Sequence, residues 1–562
     1  MDQDLRSIQQ ARTLLHECAT AQKAYKEFSQ EAVDQIVEAM ASAGAKEAER
    51  LGQQAHEETG FGRPDSKTQK NLFATRILFE RMRDMKTCGV IRKLENDTIW
   101  EIATPMGVIA ALVPSTNPTS TALYKAIISA KARCGIVMSP HPRAIASTAE
   151  AVRVVADAAK KAGAPEGLFG CLTEVSLDGT NALLEDDQTD LILATGGSAM
   201  VKAAYSKGKP AYGVGSGNVP TYVDRSADLE KAARDILYGA SFDYGTLCST
   251  ERSVVADLPI KQKLVDELKR AGGHFLSDSE KVLLRTHIWK NGRLNIDQVG
   301  KSAAVIASQA GFSVPAKTLA LIGEVDQVGK AEPLSAETLS PILSFYTTDG
   351  WEAGCQKSKE VLAFGGIGHT LGLHCTNERV IQAFALEKPA MRIVVNTVCA
   401  LGSVGYTNRL FPAMTLGPGA MGGSITSDNI SPMHLVNIKR LAFETDPIHL
   451  GNSKTGPPSA STIESRPGTH ADSGAKKRAK NGATKPWRDE IDARLRARAG
   501  NPAVKRVAAR SKPARSKPDA QKSPDAATSA DIKGATKPEP THPGATNLSE
   551  AEIDALVSKF RR

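Results

Sequence analysis

Apolar positions in residues 1–85 recur at helical spacing. Ala32, Ile36 and Met40 lie four apart among Glu, Gln and Asp, which predicts a helical N-terminal region. The texture changes near residue 105. Gly107–Val113 is a short apolar run and predicts a strand, Thr119–Arg133 a helix, and Gly135–Met138 a second strand. Ala144–Ala162 is a long Ala/Val helix, closed by Gly163 and Pro165. Leu168–Leu172 and Leu191–Ala194 read as further strands with a short helix between them, and another helix begins after Thr195-Gly196-Gly197. Strands alternating with helices predict an α/β fold, a parallel sheet covered on both faces. Such sheets bind ligands at the carboxyl ends of their strands. A second α/β stretch is expected from about residue 244 to 430. Its candidate strands are Leu283–His287, Thr318–Ile322 and Ile342–Tyr346, and a Gly-rich segment, Thr415 to Gly423, closes it.

The pattern stops after Leu450. Residues 451–545 are rich in Pro, Ala, Ser, Lys and Gly, a composition that cannot bury enough surface to offset its ordering entropy. Two islands interrupt it. In Pro486–Gly500, Trp487, Ile491 and Leu495 repeat every four residues. At the C-terminus, Ser549 and Glu552 have capping-box spacing, and Leu548 and Ile553 that of a hydrophobic staple. Ile553, Leu556, Val557 and Phe560 form one apolar stripe, with acids in the first turn and Lys/Arg in the last. A helix this short is marginal alone and should fold by laying its stripe on a partner. Docking on its own enzyme body is the alternative. A membrane surface is disfavoured, because the polar face is not strongly basic.

Charge follows the same division. Of the net +9, residues 451–562 supply +11, from 23 Lys+Arg against 12 Asp+Glu, which leaves −2 on residues 1–450. The basicity therefore says little about the substrate of the folded part. The basic linker has one aromatic, Trp487, and no nucleic-acid-binding pattern, so nucleic acid is not the expected partner. No apolar run is long enough to span a bilayer, and the N-terminus has no signal-peptide pattern. The eight cysteines show no CxxC pair and no zinc spacing. That favours free thiols in a reducing cytoplasm and no structural metal.

Candidate chemistry centres on Phe242-Asp243-Tyr244-Gly245-Thr246-Leu247-Cys248-Ser249-Thr250-Glu251. A lone cysteine is usually a small buried apolar group. Two other segments raise the nucleophile reading. Pro114-Ser115-Thr116-Asn117-Pro118 follows the first strand, where a side-chain amide can face the ligand crevice. Thr195-Gly196-Gly197 is either an ordinary βα turn or a site of close approach for a dinucleotide.

These segments, with Ser139-Pro140-His141-Pro142, Glu337-Thr338-Leu339-Ser340-Pro341 and Gly365-Gly366-Ile367-Gly368-His369-Thr370, resemble the aldehyde dehydrogenase superfamily over roughly residues 5–445. They are most similar to its coenzyme A-acylating branch. The resemblance implies a Rossmann-type cofactor domain (1–243, with N-terminal helices) and an α/β catalytic domain (244–430). A return segment (431–450) would lead back to the cofactor and oligomerisation region, before a linker (451–546) and a terminal partner-binding helix (547–562). It implies Cys248 as the thiolate nucleophile, with the Asn117 amide and the Cys248 N–H receiving the oxyanion. NAD would be held by Pro114, Ser139, Pro140, His141, Thr195, Gly196, Gly197, Gly215 and Glu337. NADP stays open, because the usual ribose-binding Lys and Glu are replaced by Ser139-Pro140-His141-Pro142-Arg143, and Arg143 can meet a 2′-phosphate.

Hydrolytic members carry a general-base Glu in Glu-Leu-Gly-Gly-Lys. The matching stretch here, Tyr212-Gly213-Val214-Gly215-Ser216-Gly217-Asn218-Val219-Pro220, has no carboxylate. Transfer of the acyl group to coenzyme A is therefore expected, with hydrolysis to the free acid, or an inactive scaffold, as alternatives. Glu251 is either a substitute base or a structural residue on a helix expected after Cys248. His369 either assists coenzyme A or orders its loop. Glu337 is either a ribose ligand or a helix-terminal charge. The resemblance further implies a short aldehyde substrate and a homodimer or homotetramer. The tail resembles encapsulation peptides, which implies shell proteins as partners and the lumen of a bacterial microcompartment as location.

Overall fold

The computed structural model describes residues 2–290, 293–446 and 448. The basic linker, the island at 486–500 and the C-terminal helix expected at 547–562 lie outside the described residues.

Two parallel sheets dominate the fold. The first has five strands: β1 (Val108–Val113), β2 (Gly135–Pro140), β3 (Phe169–Cys171), β4 (Leu191–Thr195) and β5 (Ala211–Val214). They pair in the order β3-β2-β1-β4-β5, all parallel. All six side chains of β1 are buried. Ile109, Ala111 and Val113 enter one apolar core and Val108, Ala110 and Leu112 another. Burial on both faces explains the continuous apolar run of this strand.

The second sheet has seven strands: β6 (Val219–Val223), β7 (Glu251–Asp257), β8 (Gly273–Phe275), β9 (Ala320–Glu324), β10 (Ile342–Thr348), β11 (Gly368–His374) and β12 (Ala390–Val395). Their order is β8-β9-β10-β7-β6-β11-β12, again parallel. The chain passes from one sheet to the other at residues 215–218, ahead of the expected change near 244, because β6 pairs with β7 and not with β5.

Two local expectations are corrected. Leu283–His287 is not a strand but part of the helix Asp278–Ile288, started by a capping box between Ser277 and Glu280. Its Leu284 and Ile288, one turn apart, are the buried positions. Glu251 does not lie on a helix; it opens β7, all of whose residues are buried.

The N-terminal region is helical, with Gln3–Tyr25, Gln30–Lys46, Ala48–Thr59 and Pro64–Leu72. Val436–Ala442 pairs with Ile99–Pro105 in a separate antiparallel sheet that also holds Gly89–Leu94. Among the described residues no helix is long and apolar enough to cross a membrane.

Candidate active site

A cleft of about 400 Å³ opens where the carboxyl ends of β1, β2, β4 and β5 face the loops that precede β7 and β10. Pro114 and Asn117 come from the turn after β1, and His141 follows β2. Thr195 ends β4 and Gly196 and Gly197 continue from it, while Gly215 follows β5. Cys248 and Glu337 are supplied by the second half, and all nine residues line the cleft. Ser139 and Pro140 do not: Ser139 is buried within β2, its Oγ 2.8 Å from Thr180 Oγ1. His369 is also off the cleft wall. It sits behind Gly217, where a Cβ would fall 3.2 Å from the His369 Nδ1 and 2.1 Å from the Cys248 carbonyl oxygen. Only glycine lets the 215–218 crossing lie this close to the nucleophile loop.

That loop is strained and firmly held. Asp243, Tyr244 and Gly245 have φ of +48°, +50° and +76°. Left-handed backbone at a non-glycine residue costs on the order of 1 kcal/mol and persists where its surroundings over-determine it. Here Asp243 is fully buried and accepts hydrogen bonds from the Arg63 N–H (2.7 Å), Thr246 Oγ1 (2.5 Å), Lys67 Nζ (3.3 Å) and Lys70 Nζ. Burial pushes its carboxyl up, but the two ammonium groups outweigh that and hold it below the usual carboxylate range. On the other side, buried Arg252 of β7 donates to the carbonyls of Gly245 (2.5 Å), Leu247 (3.4 Å) and Ser340 (3.0 Å). One guanidinium thus ties the Cys248 loop to the Glu337 loop.

Cys248 is half-buried and outside any disulfide. Burial, and then the neighbouring Glu337 carboxylate, push its thiol up to about 12, against an opposing pull from Arg392 and Arg252. Glu337 accepts the Gly217 N–H at 3.1 Å. Among the described residues lining the cleft it is the one carboxylate.

Asn117 Nδ2 donates to Thr116 Oγ1 (3.1 Å) and to the Thr246 carbonyl (3.2 Å), two residues before Cys248, while Oδ1 accepts from Lys70 Nζ at 2.5 Å. Glu251 turns away: its carboxylate accepts the N–H of Cys399 (2.5 Å) and Ala400 (3.4 Å), at the start of the short helix Cys399–Ser403. Burial raises it to about 8. Burial, reinforced by Arg392, lowers His369 to about 3, so its imidazole is neutral at ordinary pH.

Lys67, Lys70, Asp243 and Arg252 were not singled out in the sequence. A faint signal existed. Lys67, Lys70 and Asn71 share one face of Pro64–Leu72 by their spacing, and all three are buried. A polar helix that buries its lysines must bring them to an anion.

Two parallel α/β layers meeting at a thiol-bearing cleft define the class of molecule, and comparison with known proteins makes the family specific. Residues 5–274 match the model of the aldehyde dehydrogenase family. The bifunctional aldehyde-alcohol dehydrogenase of Escherichia coli (strain K12) is 40% identical over 441 residues, 78% of this chain and 50% of that protein. The chain spans about half the length of the first such curated relatives. An acetylating aldehyde dehydrogenase of Geobacillus thermoglucosidasius superimposes with a TM-score of 0.79 at 48% identity, covering 80% of this chain and 99% of that one. A propionaldehyde dehydrogenase from the fucose-utilisation bacterial microcompartment of Clostridium phytofermentans gives 0.71 at 26% identity, covering 77% and 97%. The chain belongs to the aldehyde dehydrogenase family.

Proposed function

We propose that the protein converts a short aldehyde and coenzyme A to the acyl-CoA, through a thioester on Cys248, with NAD as the expected dinucleotide and NADP the alternative. The cleft suits a dinucleotide on its own geometry. Gly197 caps the helix Ser198–Tyr205 without a side chain, and nothing stands within 4 Å of where its Cβ would be. An uncapped helix end beside a glycine turn is an anion site, suited to a pyrophosphate. Pro114, His141, Thr195, Gly196, Gly197 and Gly215 would line it, with Glu337 on the nicotinamide ribose. Bound there, the dinucleotide supplies the hydride acceptor for the step from thiol adduct to thioester.

The protein's own part is to hold sulfur, oxygen and proton donors in register. Cys248 gives up its proton to solvent and adds as thiolate to the carbonyl carbon, and the developing oxyanion meets the Asn117 amide and the Cys248 N–H. Donors fixed in this way contribute a factor of about 10²–10³ each. The coenzyme A thiol then attacks the acyl carbon and Cys248 leaves as thiolate, taking up the proton that the attacking thiol gives up. The observation that carries this branch is the Tyr212–Pro220 segment: it holds no carboxylate, and the one cleft carboxylate among the described residues, Glu337, is engaged with the Gly217 N–H. A thiol is intrinsically nucleophilic and attacks a thioester with less help than water requires. The acetylating relative from Geobacillus supports the same branch.

We further propose a homodimer or homotetramer. Residues 547–562, with their apolar stripe, would engage microcompartment shell proteins, and the enzyme would then lie in the compartment lumen within the cytoplasm; the microcompartment origin of the Clostridium phytofermentans enzyme supports this reading. The catalytic reading is tested by following NADH formation from short aldehydes with and without coenzyme A and identifying the product. Acyl-CoA, with turnover collapsing when coenzyme A is left out, is expected. Free acid formed equally fast without coenzyme A overturns it.

A further inference from the structure

The Lys67–Lys70–Asp243 cluster lies outside the residues that line the cleft, yet it reaches the reacting region through Asn117. An ammonium has donors only. The atom 2.5 Å from Lys70 Nζ is therefore the Asn117 oxygen, and this fixes which edge of the amide faces where. Its N–H edge is turned to Thr246, on the side of Cys248. Among the described residues Lys70 also meets Asp243, and Asp243 is anchored in turn by Lys67, Thr246 Oγ1 and the Arg63 N–H. Lys67 also donates to the Thr116 carbonyl at 3.1 Å, which holds the turn that carries Asn117. Both lysines and the aspartate are almost wholly buried, so the positive charge behind the amide is poorly screened by water.

We propose that Lys70 is a positioning residue for the oxyanion site: anchored on Asp243, its ammonium locks the Asn117 amide with the N–H edge toward the reacting carbonyl and polarises it into a stronger donor. The proposal rests on the reading of Asn117 as oxyanion donor. When the carbonyl oxygen gains charge, the neutral Thr116 hydroxyl gives way to it as acceptor, since charged acceptors make the stronger bond. The ammonium supports that charge from behind, through the amide. The same network keeps the left-handed turn at Asp243 in place, so one helix, Pro64–Leu72, sets both the donor and the approach to the nucleophile.

The test is a double-mutant cycle with Lys70→Gln, Asn117→Ala and the double variant, read as kcat and aldehyde KM. Gln keeps a donor but not the charge. Lys70→Gln should lower kcat at least about tenfold with KM moved less than about twofold, and the double variant should be no slower than Asn117→Ala within about twofold. Wild-type kcat in Lys70→Gln, or effects that multiply in the double variant, overturn the proposal. An Asn117→Ala variant as fast as wild type sinks instead the reading of Asn117 on which it rests.

A second readout separates positioning from mere folding. Burial, opposed by Asp243 and helped by Lys67, lowers Lys70 to about 8. It touches Asp243 and Asn117, and Lys67, which shares Asp243 with Thr246, is the other charge that acts on it. The ratio of wild-type to Lys70→Gln rates should stay level below about pH 8 and shrink above it, as Lys70 loses its proton. A ratio that does not change across this pH overturns the proposal. If melting shows that Lys70→Gln does not fold, Lys70→Met, which fills the same space and leaves the Lys67–Asp243 pair intact, takes its place in the cycle, with the same expected and overturning results.

Discussion

Burial and the Glu337 carboxylate both hold the Cys248 proton in place, with the thiol pushed up to about 12. The free protein should therefore be a sluggish thiol at neutral pH, because the thiolate is the reactive form. Alkylation of Cys248 by iodoacetamide should keep rising as pH passes the ordinary thiol range near 9, where an unperturbed cysteine levels off. Glu337→Gln removes the neighbouring negative charge, which lowers the thiol's pKa, so alkylation at a fixed pH near 8 should speed up several-fold. A variant alkylated at the wild-type rate would show that burial alone sets the thiol. Glu337 was legible as a candidate because it sits in a recognisable segment. Its hold on Gly217 was not, since the two residues are 120 positions apart.

At the scale of elements, the nucleophile loop depends on Arg252 as a strut. Its guanidinium satisfies three buried carbonyls, at Gly245, Leu247 and Ser340. Arg252→Met keeps the packing but takes the guanidinium from the Gly245 carbonyl, while the carbonyls of Leu247 and Ser340 keep the N–H of Thr250 (3.1 Å) and Ile342 (2.7 Å). A buried carbonyl that loses its donor costs about 1–3 kcal/mol, so an unfolding free energy lower by about that much is expected in a denaturant titration, together with loss of turnover. Unchanged stability would mean that the loop is held by the Asp243 side alone. The βα alternation of residues 108–214 was readable because each strand is buried on both faces and each helix closes on glycine, proline or charge. Leu283 misled for the opposite reason. Val282, Leu283 and Leu284 make a short apolar run that periodicity cannot assign, and the deciding signal was the cap at Ser277 and Glu280. Glu251 was set on a helix because nothing near Cys248 marks where a strand begins. Its position became clear only from the pairing of β6 with β7.

Across the whole molecule, the enzymatic body and the tail are separable in composition. The tail carries all of the excess positive charge. Deleting residues 547–562 should leave kcat and KM for aldehyde within about twofold of the full chain, since the described residues that line the cleft lie between 114 and 414. Co-localisation with shell proteins should be lost. Normal co-localisation of the truncated protein would refute the targeting role. What the sequence hid at this scale is how the two sheets share one site. The wall residues of the first half were visible as turns after strands, but the Lys67–Asp243 and Lys70–Asp243 pairs join positions 176 and 173 apart, and no local pattern carries such a link.

The engagement of Glu337 with the Gly217 N–H has a consequence for timing. Under the proposed thiolysis, no carboxylate of the described cleft is placed to draw a proton from water, so an acyl group on Cys248 waits for its acceptor. Coenzyme A, more than aldehyde, then meters the flux. An enzyme starved of it stores one activated acyl group per site and takes up no more aldehyde until the acceptor returns. On that proposal the site would act as a gate tuned to the cell's acyl-carrier supply.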